Sequence, residues 1–524
     1  MSVNEIKGPF GTPVPQSEES AQLRHDELNL FDATAVAVSS VAPAYSLAST
    51  FAAVFVIGGI GLASPAALLV SFIPVMFIAL SYFHLNRRNP NCGASYSWLS
   101  QVLHPTVGWI NGWVQVWTSV LFCTTAPLLA GGYTLQFMHS ALHLVSAASI
   151  TNTKDIAVVA ALWLMFVTFI CIYGIRWTTN AQWVMVIIEY ICVLGFSVGG
   201  IIKVWISHPV HSMNFSFAWL DPFHIHGFGA LASGLALGVF FFWGWDTALN
   251  LNEESKDASR IPGRAGLISM WLLLFVFLLN FVAIQMLLGP TGINANQGGG
   301  ILFFFGQQLF GPWASYVMVF AVLSSTVATT QTTILPAARI TLSMSRDGVF
   351  PKVFSSIHEK FKTPALGTAI VALLSLFGIM LTTFSTSSAG VFNNLVLNIG
   401  VLVAFYYGIT GLGCAWAFRK TLGQGLRANL TMIYLPLIGG AVLMYVCYKV
   451  ISGGGSSSIP DVIVLASSVP ALLISMWFTK GKTKFWSQPR VSYDTLDVND
   501  SPPRSHDQGR MIHDDHRRTE GNQD

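Results

Sequence analysis

Two acidic side chains stand where the sequence gives them almost no polar company. Glu189 lies in Val184-Met-Val-Ile-Ile-Glu-Tyr-Ile-Cys192, and Asp246 lies in Phe240-Phe-Phe-Trp-Gly-Trp-Asp-Thr-Ala248. Helical spacing sets Thr178, Gln182, Met185, Phe196 and Ser197 near the Glu189 face while the other faces are apolar, so its carboxyl group should point inward. An ionised group at membrane depth costs several kcal/mol unless it is paired or hydrated, which makes such a residue a functional candidate. Glu189 could load and release a proton. Alternatively it could bind Na⁺ with hydroxyls from Ser324-Ser-Thr-Val-Ala-Thr-Thr330, in particular Ser324 and Ser325. Hydroxyls also bond across membrane helices simply for packing, so the proton ranks first. A carboxylic acid held across helices with no further role is the remaining reading.

Asp246 could be the counter-ion of a cationic ligand, or it could cap the second half of its helix by accepting a backbone N–H; the cap is the first choice. Trp243 and Trp245 could wall a cation, worth up to about 2 kcal/mol when desolvated, or fill a helix interface.

The elements that must position these residues follow from composition. Of 524 residues, 53% are hydrophobic and 10% charged, against roughly 25% charged in soluble domains. A soluble core cannot absorb that much apolar surface. Runs of about 20 apolar residues cross the hydrocarbon layer. Twelve such spans emerge, near 31–59, 62–85, 106–137, 155–175, 178–205, 229–252, 265–289, 312–343, 365–384, 390–416, 429–450 and 460–479. Alternate connections carry Arg87 and Arg88, Arg176, Lys256 with Arg260 and Arg264, Arg346 with Lys352, Arg419 with Lys420, and Lys480 with Lys484. The others carry only Lys154, Lys203 and Lys449. By the positive-inside bias, both termini are expected in the cytoplasm.

Two spans are interrupted. Pro43 sits at the middle of Val36-Ala-Val-Ser-Ser-Val-Ala-Pro-Ala-Tyr45, where it removes a backbone donor and clashes with the preceding turn. Gly244 sits between bulky aromatic residues in the sixth span. Freed backbone groups at membrane depth are tolerated only where they face protein or a water-filled cavity. Two breaks five spans apart suggest an inverted repeat with a ligand near the midplane, where half-helix N-termini receive anionic groups and freed carbonyls receive cations. A zwitterion suits such a place.

Other classes are disfavoured. The charges nearly balance, 27 basic against 24 acidic, so no basic stripe for nucleic acid is implied. The six cysteines (Cys92, Cys123, Cys171, Cys192, Cys414, Cys447) are scattered and show no metal spacing. No HExxH occurs, and His84, His139 and His143 show no partner in the sequence, so no enzyme, metal or cofactor is expected. Residues 1–28 and 481–524 read as disordered cytoplasmic tails, the second including His513 and His516.

Three stretches, in order, resemble the amino acid, polyamine and organocation (APC) superfamily of permeases. They are Asn89-Pro-Asn-Cys-Gly-Ala-Ser-Tyr-Ser-Trp98 with His104-Pro-Thr-Val-Gly-Trp109, Phe241 to Ala248 running into Glu253-Glu-Ser-Lys-Asp-Ala-Ser-Arg-Ile-Pro262, and Arg339-Ile-Thr-Leu-Ser-Met-Ser-Arg-Asp-Gly-Val-Phe-Pro351. The resemblance implies an all-α, twelve-helix LeuT-type fold over residues 29–480, with one repeat over 29–205, a second over 229–416 and peripheral helices over 429–479. It implies a substrate site at Ala42, Pro43, Ala44, Tyr45 and Ser46 and at Trp243, Gly244, Trp245, Asp246 and Thr247. Glu253, Glu254 and Arg260, where the sixth span meets the cytoplasm, and Arg339 and Arg346, where the eighth does, could form a cytoplasmic gate of ion pairs; solvated helix ends are the alternative.

Two departures matter. Many relatives have a small Gly/Ser-rich break in the first helix that receives the substrate carboxylate, whereas here Pro43 supplies no N–H. Several proton-coupled relatives have a lysine at what looks like the position of Glu189. The expectation is a multi-pass plasma-membrane permease for amino acids or amines, a proton-coupled symporter or an exchanger. A sodium-coupled symporter of the same fold and a transporter-like nutrient sensor are the alternatives.

Overall fold

The computed structural model describes residues 28–173, 175–296, 300–358, 363–385, 388–479 and 483–493. Among these the protein is helical, apart from one isolated bridge between Leu28 and Ser255. The main helices are α1 (Leu30–Val41), α2 (Pro43–Phe55), α3 (Ser64–Arg88), α4 (Ser95–Val102), α5 (Pro105–Ser140), α6 (Thr153–Tyr173), α7 (Ile175–Ser207) and α8 (Phe228–Phe241). There follow α9 (Thr247–Asn250), α10 (Ile261–Ala295), α11 (Ile301–Phe310), α12 (Pro312–Arg346), α13 (Ala365–Thr382), α14 (Ser388–Ala417), α15 (Leu435–Gly453) and α16 (Ile459–Thr479).

Local chemistry explains where several helices start. Asn29 and Asp32 close a reciprocal capping box on α1. His104 caps α5, and Pro105 and Pro312 occupy first-turn positions in α5 and α12, where a missing N–H costs nothing.

Eleven described segments are long and apolar enough to cross a membrane, counting α1 and α2 as one. The twelfth expected span is the interrupted sixth, which the break divides into α8 and the single turn α9. Burial orders the bundle from centre to edge. The most apolar window of α1–α2 is 100% buried and that of α16 only 17%. Ile187, Ile188 and Ile191 of α7 are exposed while Glu189 between them is fully buried. Apolar side chains thus face outward toward lipid, and the polar face turns inward.

Residues 1–27 and 494–524, including His513 and His516, lie outside the described residues. The expected disordered tail needs correction over 483–493. Phe485 is buried and stacks on Tyr96, and the Val491 and Tyr493 N–H groups donate to the Gln101 and Ala417 carbonyls at 2.8 and 3.0 Å. Phe485, Trp486 and Tyr493 supply the apolar surface that a compositional reading of the polar tail overlooks.

Candidate transport site at two broken helices

The first break is a single residue. Ala42 adopts φ 50° and ψ 77° between α1 and α2. A residue before proline is pushed away from the right-handed helical region, so Pro43 both ends α1 and starts α2. The first turn of α2 would leave backbone donors unsatisfied. Here every one is taken by the chain itself. Pro43 has none, Ala44 N–H donates to Glu189 Oε1 at 2.7 Å, Tyr45 N–H donates to Ser325 Oγ at 3.0 Å, and Ser46 N–H donates to the Ala42 carbonyl at 2.9 Å. Ser325 Oγ in turn donates to the same Glu189 oxygen at 2.8 Å. Glu189 Oε2 is buried with no hydrogen-bond partner among the described residues.

Helical spacing decides which hydroxyls of α12 take part. Ser325 and Thr329, one turn apart, face α1 and α2, and Thr329 Oγ1 donates to the Ser40 carbonyl at 2.6 Å. Ser324, expected beside Glu189, instead donates to the Ala321 carbonyl of its own helix at 3.0 Å. Thr326 and Thr330 likewise bond within α12. Among residues expected on the Glu189 face, Phe196 and Ser197 are buried. The side chains of Thr178, Gln182 and Met185 lie outside the described residues.

The second break lies against the first. Gly244 has φ 116°, and a Cβ there would come within 2.9 Å of the Ser40 backbone carbonyl carbon and oxygen, so only glycine permits both the conformation and the approach. Ser40 Oγ and Thr247 Oγ1 share a hydrogen bond of 2.9 Å that joins the two breaks.

Asp246 is 6% exposed, and its side chain makes no capping bond to α9, contrary to the preferred reading. Its backbone is already helical at that position, with φ −69° and ψ −12°, rather than in the extended conformation of a usual cap. Tyr406 Oη lies 3.5 Å from Asp246 Oδ2, at the outer limit of a hydrogen bond.

Beside Asp246 is a cavity of about 20 Å³, also lined by Gln115, Ser119, Trp243, Asn250 and Tyr406. That is room for a water molecule rather than a solute. The two tryptophans divide their roles. Trp243 lines this cavity, donates to Tyr406 Oη and meets Phe122 edge-on at 5.2 Å. Trp245 turns away and packs against Tyr82 and Tyr407 at 5.1 and 5.7 Å between ring centroids. The Tyr45 ring joins Phe122 and Phe240 on the near side of the cluster.

Sequence reading missed Tyr406, Phe122 and Ser40, and named Thr329 only within the Ser324–Thr330 hydroxyl run. The Tyr406-Tyr407 pair inside an apolar span and the one-turn spacing of Thr329 from Ser325 were the available signals.

Where α12 ends and α10 begins, two ion pairs link elements across the bundle. Arg339 pairs with Glu254, both largely buried. Arg346 Nη1 lies 3.5 Å from Glu253 Oε2 in a more exposed position, and Glu253 Oε1 also accepts from Cys92 N–H at 3.2 Å. Arg260, expected to join them, is exposed at the start of α10 and stands outside both pairs. Next to them Tyr96 Oη donates to Asp347 Oδ2 at 2.7 Å. Burial pushes the Asp347 carboxyl above its ordinary range, opposed by Tyr96 and by Arg346.

A cavity of about 270 Å³ lies at the opposite end of the bundle, lined by Tyr133, Gln136, Thr153, Asn296 and Phe392 among others. Helix α10 fixes the polarity, starting at the paired end with Ile261 and reaching the cavity with Ala295.

A membrane bundle whose two broken helices meet in its interior, closed by ion pairs at one end and hollow at the other, has the layout of a secondary active transporter. The chain belongs to the amino acid permease family, whose model matches residues 28–478. It is 26% identical over 386 residues to the low-affinity putrescine importer PlaP of Escherichia coli K12, covering 72% of this chain and 78% of that one. It is 23% identical over 396 residues to the human large neutral amino acids transporter small subunit 2, covering 74% and 69%. Human Asc-type amino acid transporter 1 is 25% identical over 414 residues, covering 77% and 74%.

The solved structure of MhsT in complex with L-phenylalanine shares the fold at a TM-score of 0.60 and 14% identity, covering 82% of this chain and all of that one. The expected LeuT-type architecture is therefore present. The family and these relatives are transporters rather than enzymes.

Proposed function

We propose that this chain carries amino acids or related amines across the plasma membrane by alternating access, with both termini cytoplasmic, and that Glu189 couples the movement to protons. The observation that carries the coupling reading is the position of Glu189. One of its oxygens accepts from the α2 backbone at 2.7 Å and from Ser325 of α12 at 2.8 Å, while the other is buried with no partner among the described residues. A proton arriving on the carboxyl group weakens both bonds at once, because a charged acceptor holds its donors more strongly than a neutral one. Loading and release then bias the α2–α12 contact, and with it the first break.

The Arg339–Glu254 and Arg346–Glu253 pairs serve as the cytoplasmic gate in this reading. They are closed here while the larger cavity lies at the other end, which corresponds to an inward-closed state.

Proteoliposomes containing only the purified chain test the proposal. A panel of amino acids and polyamines is offered under an imposed pH or Na⁺ gradient. Accumulation is expected to follow the pH gradient, and Glu189→Gln should abolish it while sparing exchange. Unchanged pH-driven accumulation in Glu189→Gln removes the coupling role, accumulation driven by Na⁺ alone assigns sodium instead, and no accumulation of any solute points to a sensor.

A further inference from the structure

We propose that Glu189 is a built-in substitute for a cargo carboxylate, so that the carrier takes organic cations lacking an α-carboxylate in preference to the amino acids from which they derive. This rests on the transport reading above and narrows its substrate class.

The N-terminus of α2 is where a carboxylate would be received. Aligned peptide dipoles and unpaired N–H groups make a half-helix N-terminus an anion site. Helix α2 has 13 residues, long enough for the effect. Its anion site is already filled from within, since Glu189 Oε1 takes the Ala44 N–H and Ser325 Oγ takes the Tyr45 N–H. Pro43 has no N–H to add. A cargo carboxylate arriving here meets a second carboxylate, 0% exposed, whose Oε2 has no partner among the described residues. Two like charges in one desolvated site repel strongly, and the incoming group finds the first-turn N–H groups of α2 already taken.

The second break has the opposite character. Asp246 is buried, and the small cavity beside it is lined by Gln115, Ser119, Trp243, Asn250 and Tyr406, with no lysine, arginine or histidine among the described residues that line it. A protonated amine supplies the missing positive charge. Trp243, braced by Phe122, and Tyr406 line the same cavity, placing an indole ring and a hydroxyl within reach of the ammonium group. One acidic residue thus fills the anion site at one break, while the other is left for a cation. Together they select cargo with a positive end and no negative one.

Matched pairs of an amino acid and its decarboxylated amine test this: ornithine with putrescine, lysine with cadaverine, and tyrosine with tyramine. Full-length protein in proteoliposomes is assayed for uptake, and the detergent-purified protein for thermal stabilisation by each probe. The expected result is that at least one amine is preferred over its parent by at least about tenfold and that the parent does not compete. Glu189→Ala should narrow that preference by letting the parent carboxylate reach Ala44.

The proposal is overturned if the parent amino acids are taken up, or stabilise the wild-type protein, as well as or better than their amines. It is also overturned if a folded Glu189→Ala gains nothing for the parents. If that variant does not fold, the wild-type comparison decides alone. Absence of uptake for every probe, with thermal shifts retained by the amines only, removes the transport reading and leaves the selectivity reading intact.

Discussion

The two breaks that meet at the centre of the bundle are built in opposite ways. At the first, proline and a left-handed Ala42 open the helix, and Glu189 and Ser325 satisfy the donors of the next half. At the second, Gly244 opens the helix, and buried Asp246 lies 3.5 Å from Tyr406 Oη with a small cavity beside it. The first break is a hydrogen-bonded joint; the second sets a buried carboxyl group beside a small cavity. Their contact through Ser40 and Thr247 means that a change in one is felt by the other.

The largest expected effect comes from closing the space between them. Gly244→Ala forces an L side chain into φ 116° and sets a Cβ 2.9 Å from the Ser40 backbone. Strain of about 1–3 kcal/mol adds to that clash, so the melting temperature should drop and uptake should vanish. Wild-type uptake in Gly244→Ala would mean that the two breaks do not need their close approach.

Next comes a contrast between the breaks. Ser325→Ala strands the Tyr45 N–H and removes a donor from Glu189, at a cost of about 1–3 kcal/mol in stability. Asp246→Asn keeps the shape and loses little structure, under about 1 kcal/mol, yet should reduce amine uptake at least about tenfold through lost cation binding. Thermal denaturation and initial uptake rates, measured on both variants, give the comparison. A reversed pattern, with Asp246→Asn unstable but active, would make Asp246 structural. The smallest effect is expected at Ser324→Ala, within about 0.5 kcal/mol, because that hydroxyl only bonds within its own helix.

Both breaks were legible in the sequence because proline and glycine act through the backbone, where position alone carries the consequence. The inward direction of Glu189 was legible as well, since helical spacing separates its face from the exposed Ile187, Ile188 and Ile191. Its partner was not legible. Ala44 contributes a backbone N–H, which every residue but proline has, so no residue type announces the contact.

The Asp246 cap failed for a related reason. Capping depends on the dihedral angles before the helix, and the tight turn at Gly244 leaves Asp246 already helical. Tyr406, 160 positions from Asp246, is brought near by packing of α14 that no local pattern encodes. The ion pairs were half legible. Arg339 and Arg346 pair with acidic residues of the expected set, whereas Arg260, close to Glu253 and Glu254 along the chain, stands outside both pairs.

A cryo-EM map of the full-length protein with bound cadaverine tests most directly the claim that the two breaks divide the work. An ammonium group against Asp246 and the Trp243–Tyr406 cluster, with Glu189 still on the Ala44 N–H and Ser325, is the predicted result. Cadaverine bound away from Asp246, or Glu189 released from α2 by the bound cargo, contradicts it.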